Sequence, residues 1–371
     1  MSVKKSRRDV GIELARVIAC LIVVGVHVSL ADFATGSYDL SRGFINCLLA
    51  DGVAIFWMIT GCFLFRPQPY ATVLRRAART IALPIALFSL VCLHFSGWLF
   101  DGTSLAESLS HTPTAYWDGL KSALMLKLTI PGTGHLWYCY TYLLVLLAFP
   151  VLQAFAQWMD ADVRREKWFM GISFALLLLN DWSKNELFGF SHHSINAAVP
   201  AAVEMLWGHI LYKHKDAWLS SQHRTKKILL PAAAFVLLNL VRMYIVYASG
   251  SKAVLYWYST IGLLCAVCVL LFCLPARNGR CAEAAAGRLI SWLGGHTFMI
   301  YLVHFPIRNV LYRYAVHTNL FDWLSGFSHG VVLEVLYTVG MLVLLFALSL
   351  IVSVLIRGVS RLFVRNKQKT A

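Results

Sequence analysis

Three ionisable side chains stand inside one apolar run near the start of the chain: Glu13, Arg16 and His27. An ionisable group in hydrocarbon is costly, so it marks chemistry or an ion path by default. At ~100° per residue, Arg16 and His27 fall within about 20° of each other on a helix, and Glu13 sits at the i,i+3 spacing that allows an ion pair with Arg16. Their depths differ, because a rise of ~1.5 Å per residue separates Arg16 from His27 by roughly 16 Å. Arg16 therefore cannot tune His27 directly. An imidazole with its ordinary pKa of about 6.5 can take a proton from a hydroxyl, or attack an acyl carbon, at neutral pH. The bland alternative is a snorkelling arginine and a histidine hydrogen-bonded between helices.

Such a stripe needs a helix held in a bilayer, and the composition supplies one. Hydrophobic residues make up 58% of 371 positions and charged residues 14%, with mean hydropathy +0.65. A soluble domain carries about 25% charged residues. The apolar residues fall into ten candidate spans, at about 12–30, 45–65, 81–99, 135–157, 168–181, 195–212, 228–248, 255–275, 288–306 and 332–356, of which the fifth is short and the ninth carries Gly294, Gly295 and His296. The expectation is an all-α polytopic membrane protein, a single domain over 1–371, with about ten spans. Short basic tails at 1–11 and 357–371 would both be cytoplasmic. With that topology 24 of the 33 lysines and arginines lie in inner segments, 7 in outer segments and 2, Arg16 and Arg242, within spans. Removing one interior span would invert every later loop and erase the asymmetry.

The same count explains the +15 net charge. The cations are spread over six inner loops and tails as topology requires, which argues against a nucleic-acid partner. The partner implied instead is the lipid bilayer. Nine cysteines form no disulfide pattern; Cys281 lies in a basic loop and the other eight in or beside apolar runs. The Cys265-x-x-Cys268 pair sits among Leu, Val and Phe, where thiolate is disfavoured, and no metal site is expected. The basic start, apolar run and Ser29-Leu30-Ala31 resemble a cleaved leader, but Glu13 and Arg16 interrupt the run and the even span count needs it. His27-x4-Asp32 spells a soluble-side acyltransferase signature, yet it falls at an outer membrane edge and is read as coincidence.

The ordered motifs carry a resemblance. Glu13-Leu-Ala-Arg16 through His27 is similar to the Arg-x10-His first helix of acyltransferase family 3, a group of integral membrane proteins. Phe56-Trp-Met-Ile-Thr60-Gly61, Arg76-Ala-Ala-Arg79 followed by Pro84, His135-Leu-Trp137-Tyr138 and Gly295-His-Thr-Phe-Met-Ile-Tyr301-Leu-Val-His304 resemble further motifs of that family, in its order. Glu13 stands where Asp is usual and Thr297 where Ser is usual. The chain runs about 14 residues past its last apolar segment, so the esterase-like domain frequent at the family's C-terminus is expected to be absent.

What the resemblance implies is acyl transfer, most often of acetyl from cytoplasmic acetyl-CoA as co-substrate, to a hydroxyl of an extracytoplasmic or lipid-linked glycan. The setting it implies is a bacterial inner membrane. His27, with Glu13 and Arg16, would carry the catalysis. Arg16, Arg76 and Arg79 would meet the anionic donor, because guanidinium forks onto phosphate. His135, Trp137, Tyr301 and His304 would meet the acceptor; the three histidines fall at the outer ends of their spans. Glu204 is a further buried ionisable candidate outside any motif. Two other classes fit buried charge: a proton-coupled transporter, which should often show an inverted repeat that is not visible here, and a non-catalytic glycan-binding protein. The acceptor sugar, the acyl group and any homo-oligomer are left open.

Overall fold

A computed structural model describes residues 8–28, 40–95, 97–101, 103–108, 117–118, 120–121, 130, 132–191, 195–220, 224–250, 253–277, 284–314, 316–326 and 331–369. Asp32, Cys281, Ser29-Leu30-Ala31 and most of the segment 100–134 lie outside them. The described residues are helical, with no strand among them.

Helix α1 spans Val10–Val26 and starts at Asp9, whose carboxylate accepts from the backbone N–H of Gly11 and Ile12, satisfying donors that have no intrahelical partner. Next come α2 (Leu40–Leu48) and α3 (Gly52–Leu64). Tyr70–Ala77 forms α4, which passes through a π-helical stretch at Ala78–Ala82 into α5, Leu83–His94. Pro84 lies just past the π-helical stretch within this continuous helix, where its missing N–H interrupts the regular ladder. Helices α6 (Trp137–Leu147), α7 (Phe149–Asp160), α8 (Val163–Trp182) and α9 (Ala198–Lys213) follow. The chain continues through α10 (Arg224–Ser249), α11 (Thr260–Cys273), α12 (Ala285–Arg313), α13 (Val316–Ser325) and α14 (Val331–Lys369).

The described residues of the ten apolar runs lie mostly on helix, with breaks at 49–51 and 256–259 among others. By length and composition four helical stretches suit a bilayer crossing: Gly43–Leu64, Tyr70–His94, Thr225–Ser249 and Val335–Val359. A fifth is a bent pair, Gly134–Leu147 with Phe149–Asp160, turned through 71°. The sequence reads this fifth stretch as one straight span over 135–157. Pro150, in the first turn of α7, cannot donate to the preceding turn and clashes with its carbonyl, which accounts for the break. Helices α1, α8, α9 and α12 are shorter or carry charge: Glu13 and Arg16 in α1, Arg164 to Lys167 in α8, and Arg288, Arg308 and Arg313 in α12.

At the centre α3 packs on α9 and on α1, α1 packs on α12, α12 on α14, and α10 on α11. The α3–α9 seam is set by two glycines. A Cβ on Gly61 would run into the Met205 carbonyl, and one on Gly208 into the Met58 carbonyl. Bare backbone on both sides lets the helices approach, as small residues do in membrane bundles. Beside this seam Arg242 of α10 forks onto Asp51 ahead of α3, Nη2 to Oδ1 at 2.7 Å and Nη1 to Oδ2 at 2.8 Å, with both side chains wholly buried. Arg242 Nη1 also donates to the Cys47 carbonyl and the Asn239 side chain.

Candidate active site

Helix α1 places its charged stripe as helical geometry dictates. Arg16 Nη1 donates to Glu13 Oε1 at 2.9 Å, and Arg8 Nη1 lies 3.8 Å from Glu13 Oε2. Glu13 is 5% exposed and lies against Gly294 of α12, where a Cβ would collide with its Oε2. One carboxylate is thus clasped by two guanidiniums at the start of α1.

Arg16 and His27 open onto different cavities. The first, about 580 Å³, is lined by Arg16, Arg76, Arg357, Thr60, Tyr138 and Tyr301, among others. The second, about 410 Å³, is lined by His27, His135, Trp137, Asn46, Trp257 and Tyr301, among others. Tyr301 belongs to both walls, and its hydroxyl donates to the His135 main-chain carbonyl. Arg79, expected beside Arg76, lies exposed on the π-helical stretch and is not part of the first wall.

Three histidines from three helical segments cluster beside the second cavity, whose wall includes His27 and His135. The His27 and His304 ring centroids are 5.1 Å apart, as are those of His135 and His304. His304 Nδ1 lies 2.7 Å from the Tyr301 carbonyl and His135 Nε2 3.2 Å from the Leu302 carbonyl. A carbonyl only accepts, so each of those nitrogens carries the proton, and His304 Nε2 and His135 Nδ1 hold lone pairs. Both lone-pair nitrogens are buried without a hydrogen-bond partner. Each ring thus presents one nitrogen without a proton inside the cluster. His304 is wholly buried and His135 nearly so, while His27 is partly exposed, which makes His27 the imidazole a substrate can reach. Trp137 stacks on Trp257 at 5.6 Å, giving the cavity an indole wall of the kind that stacks on sugar faces.

The sequence model of an acyltransferase domain matches residues 9–357. The chain belongs to acyltransferase family 3. No curated protein and no solved structure matches it. With its apolar helices, this is a multi-pass membrane acyltransferase.

Sequence reasoning passed over several residues at the site of this acyltransferase. Phe305 stacks against His135 at 5.3 Å and meets His27 edge-on at 5.4 Å. Arg308 lies over Phe305 and Tyr312; it stands one turn beyond His304, a spacing that was readable, but it was counted only as a loop cation. Trp257 has no spacing relation to Trp137 that a sequence displays. Glu204 is 1% exposed with neither carboxylate oxygen hydrogen-bonded, and it lines neither cavity. Among the described residues no group of three or more His, Cys, Asp or Glu side chains converges as a metal site would.

Proposed function

We propose that this protein is a membrane O-acyltransferase of the bacterial inner membrane, with ten spans and both termini cytoplasmic. It moves an acyl group, acetyl by preference, from cytoplasmic acyl-CoA to a hydroxyl of an extracytoplasmic or lipid-linked glycan. The observation that carries this reading is the pair of cavities meeting at Tyr301, one with Arg16 and Arg76 in its wall, the other with His27 and His135. An anionic nucleotide suits the first, since arginine forks onto phosphate. A thin pantetheine arm, passing Tyr301, would bring its thioester to the imidazoles.

In the transfer step His27 takes the proton from the acceptor hydroxyl, and the oxygen adds to the thioester carbonyl. The carbon–sulfur bond then breaks, leaving ester and thiolate, and the thiolate regains a proton to leave as free thiol. General-base help of this kind is worth roughly 10²- to 10⁴-fold. His304 and His135, each with one nitrogen tied to a carbonyl, hold the His27 ring in place and offer lone pairs for the proton it collects. Glu13 anchors Arg16, and Arg79 supplies further positive charge at the donor's approach. Trp137, with Tyr301, His135 and His304, would bound the acceptor.

The test is transfer or hydrolysis of labelled acetyl-CoA by the purified protein. His27→Ala should lower it by at least about a hundredfold at unchanged expression; transfer retained by that variant refutes the assignment. A transporter or a glycan-binding protein would release no free thiol from acetyl-CoA.

A further inference from the structure

The wall of the basic cavity contains a guanidinium that belongs to none of the motifs. Arg357 comes from α14, near the far end of the chain, and lines this cavity together with Arg16 of α1 and Arg76 of α4. Its Nη2 donates to the Gly295 carbonyl of α12. A Cβ on Gly295 would lie 3.0 Å from Arg8 Nη1 and 3.5 Å from Arg357 Nη1, so the bare backbone makes room for two arginine heads. Beside it Gly294 makes room for Glu13, as described above. The diglycine is therefore a seat for one carboxylate and two guanidiniums.

The charge at this mouth is in excess. Glu13 is held between Arg8 and Arg16, and the cavity wall carries Arg16, Arg76 and Arg357 with no Asp or Glu among its described lining residues. Topology signalling explains why cations sit in tails. It does not explain why one of them is pinned to a main-chain carbonyl inside a cavity wall. A guanidinium has five N–H donors in a rigid fork. Pinning the head to a carbonyl fixes it in the cavity wall, where its charge faces the same space as Arg16 and Arg76.

We propose that Arg357 is a specificity-determining residue that recognises a phosphate of the acyl donor, so that the enzyme selects a phosphorylated thioester over a phosphate-free one. This inference rests on the donor reading above. Coenzyme A and a phosphopantetheine arm share the chemistry, and the experiment separates them. Binding of coenzyme A, 4′-phosphopantetheine and pantetheine to the detergent-purified full chain is measured by calorimetry.

The wild type should prefer coenzyme A to pantetheine, and Arg357→Ala should cut that preference about ten- to a hundredfold, as loss of a charged hydrogen bond does. Arg357→Lys should recover part of it, since charge returns without the fork. Gly295→Val keeps every arginine but displaces two heads, and it should shift the preference the same way, which covers the case in which Arg357→Ala does not fold. If the loss extends to phosphopantetheine, the phosphate read is the one on the arm; if it is confined to coenzyme A, it is one on the nucleotide. Either result supports the proposal. A preference for coenzyme A that survives in both Arg357→Ala and Gly295→Val overturns the Arg357 assignment alone. A wild type that binds none of the three overturns the donor reading and this inference together.

Discussion

Two of the three clustered histidines give one nitrogen each to a main-chain oxygen, and this division of labour predicts different behaviour on substitution. His304→Asn keeps an N–H for the Tyr301 carbonyl but removes the lone pair that Nε2 presents. It should lower kcat by at least about tenfold and leave the donor KM within about twofold, the pattern of a group that matters only once the reaction is under way. Equal losses in kcat and donor affinity would count against this role. Arg76→Ala should do the reverse, raising the acetyl-CoA KM with little change in kcat, because phosphate contacts bind ground and transition states alike. The stripe of Glu13, Arg16 and His27 was readable from sequence, since a helix turns and rises by fixed amounts per residue. The meeting of His27 with His304 was expected only from a shared depth, and the tautomers that make the cluster useful depend on carbonyls no spacing reveals. Arg357 was read as a topology charge because nothing in its neighbourhood of sequence distinguishes it from Arg361 or Arg365.

Among the elements, the seam between α3 and α9 and the ion pair beside it are the places where single changes should be felt most. Gly61→Ala forces a methyl against a main-chain oxygen rather than a movable side chain, so the helices must separate, and overpacking of this kind costs about 1–3 kcal/mol. Arg242→Ala leaves a wholly buried carboxylate at Asp51 without its partner, a loss on the order of 3–5 kcal/mol, read as a lower melting temperature in detergent. Replacing both partners with apolar residues, Asp51→Leu with Arg242→Met, should recover most of that stability, because a well-packed apolar pair avoids the desolvation of two charges. A double variant no more stable than Arg242→Ala would show that the pair does more than neutralise itself. Sequence marked Arg242 as a cation within a span but could not name Asp51, which is 191 positions away. The break between α6 and α7 falls at Pro150, which the reading of 135–157 as a single span did not take into account.

At the scale of the whole molecule, hydropathy located most of the long helices, because a long apolar run in lipid has no other way to satisfy its backbone, while α4 and α13 fall outside the ten runs. What it could not give was which helices touch, since packing here follows glycine seams and buried polar pairs rather than degree of hydrophobicity. The proposed ten-span arrangement predicts that cysteines placed at Arg165 and Lys226, near the starts of α8 and α10, react with a membrane-impermeant thiol reagent only after the cytoplasmic side is opened. A cysteine at Lys184 should react in intact cells whose outer layers are permeable; the opposite pattern at any of the three would remove a span.

The shared wall at Tyr301 has an electrical consequence. On the proposed donor path, a protein that admits a thread of substrate across a bilayer with a proton gradient must not conduct when the thread is absent. The ring of Tyr301, pinned by its hydroxyl to the His135 carbonyl, is placed to act as an insulator between the two cavities. Tyr301→Ala, reconstituted in vesicles, should therefore dissipate an imposed pH difference faster than the wild type.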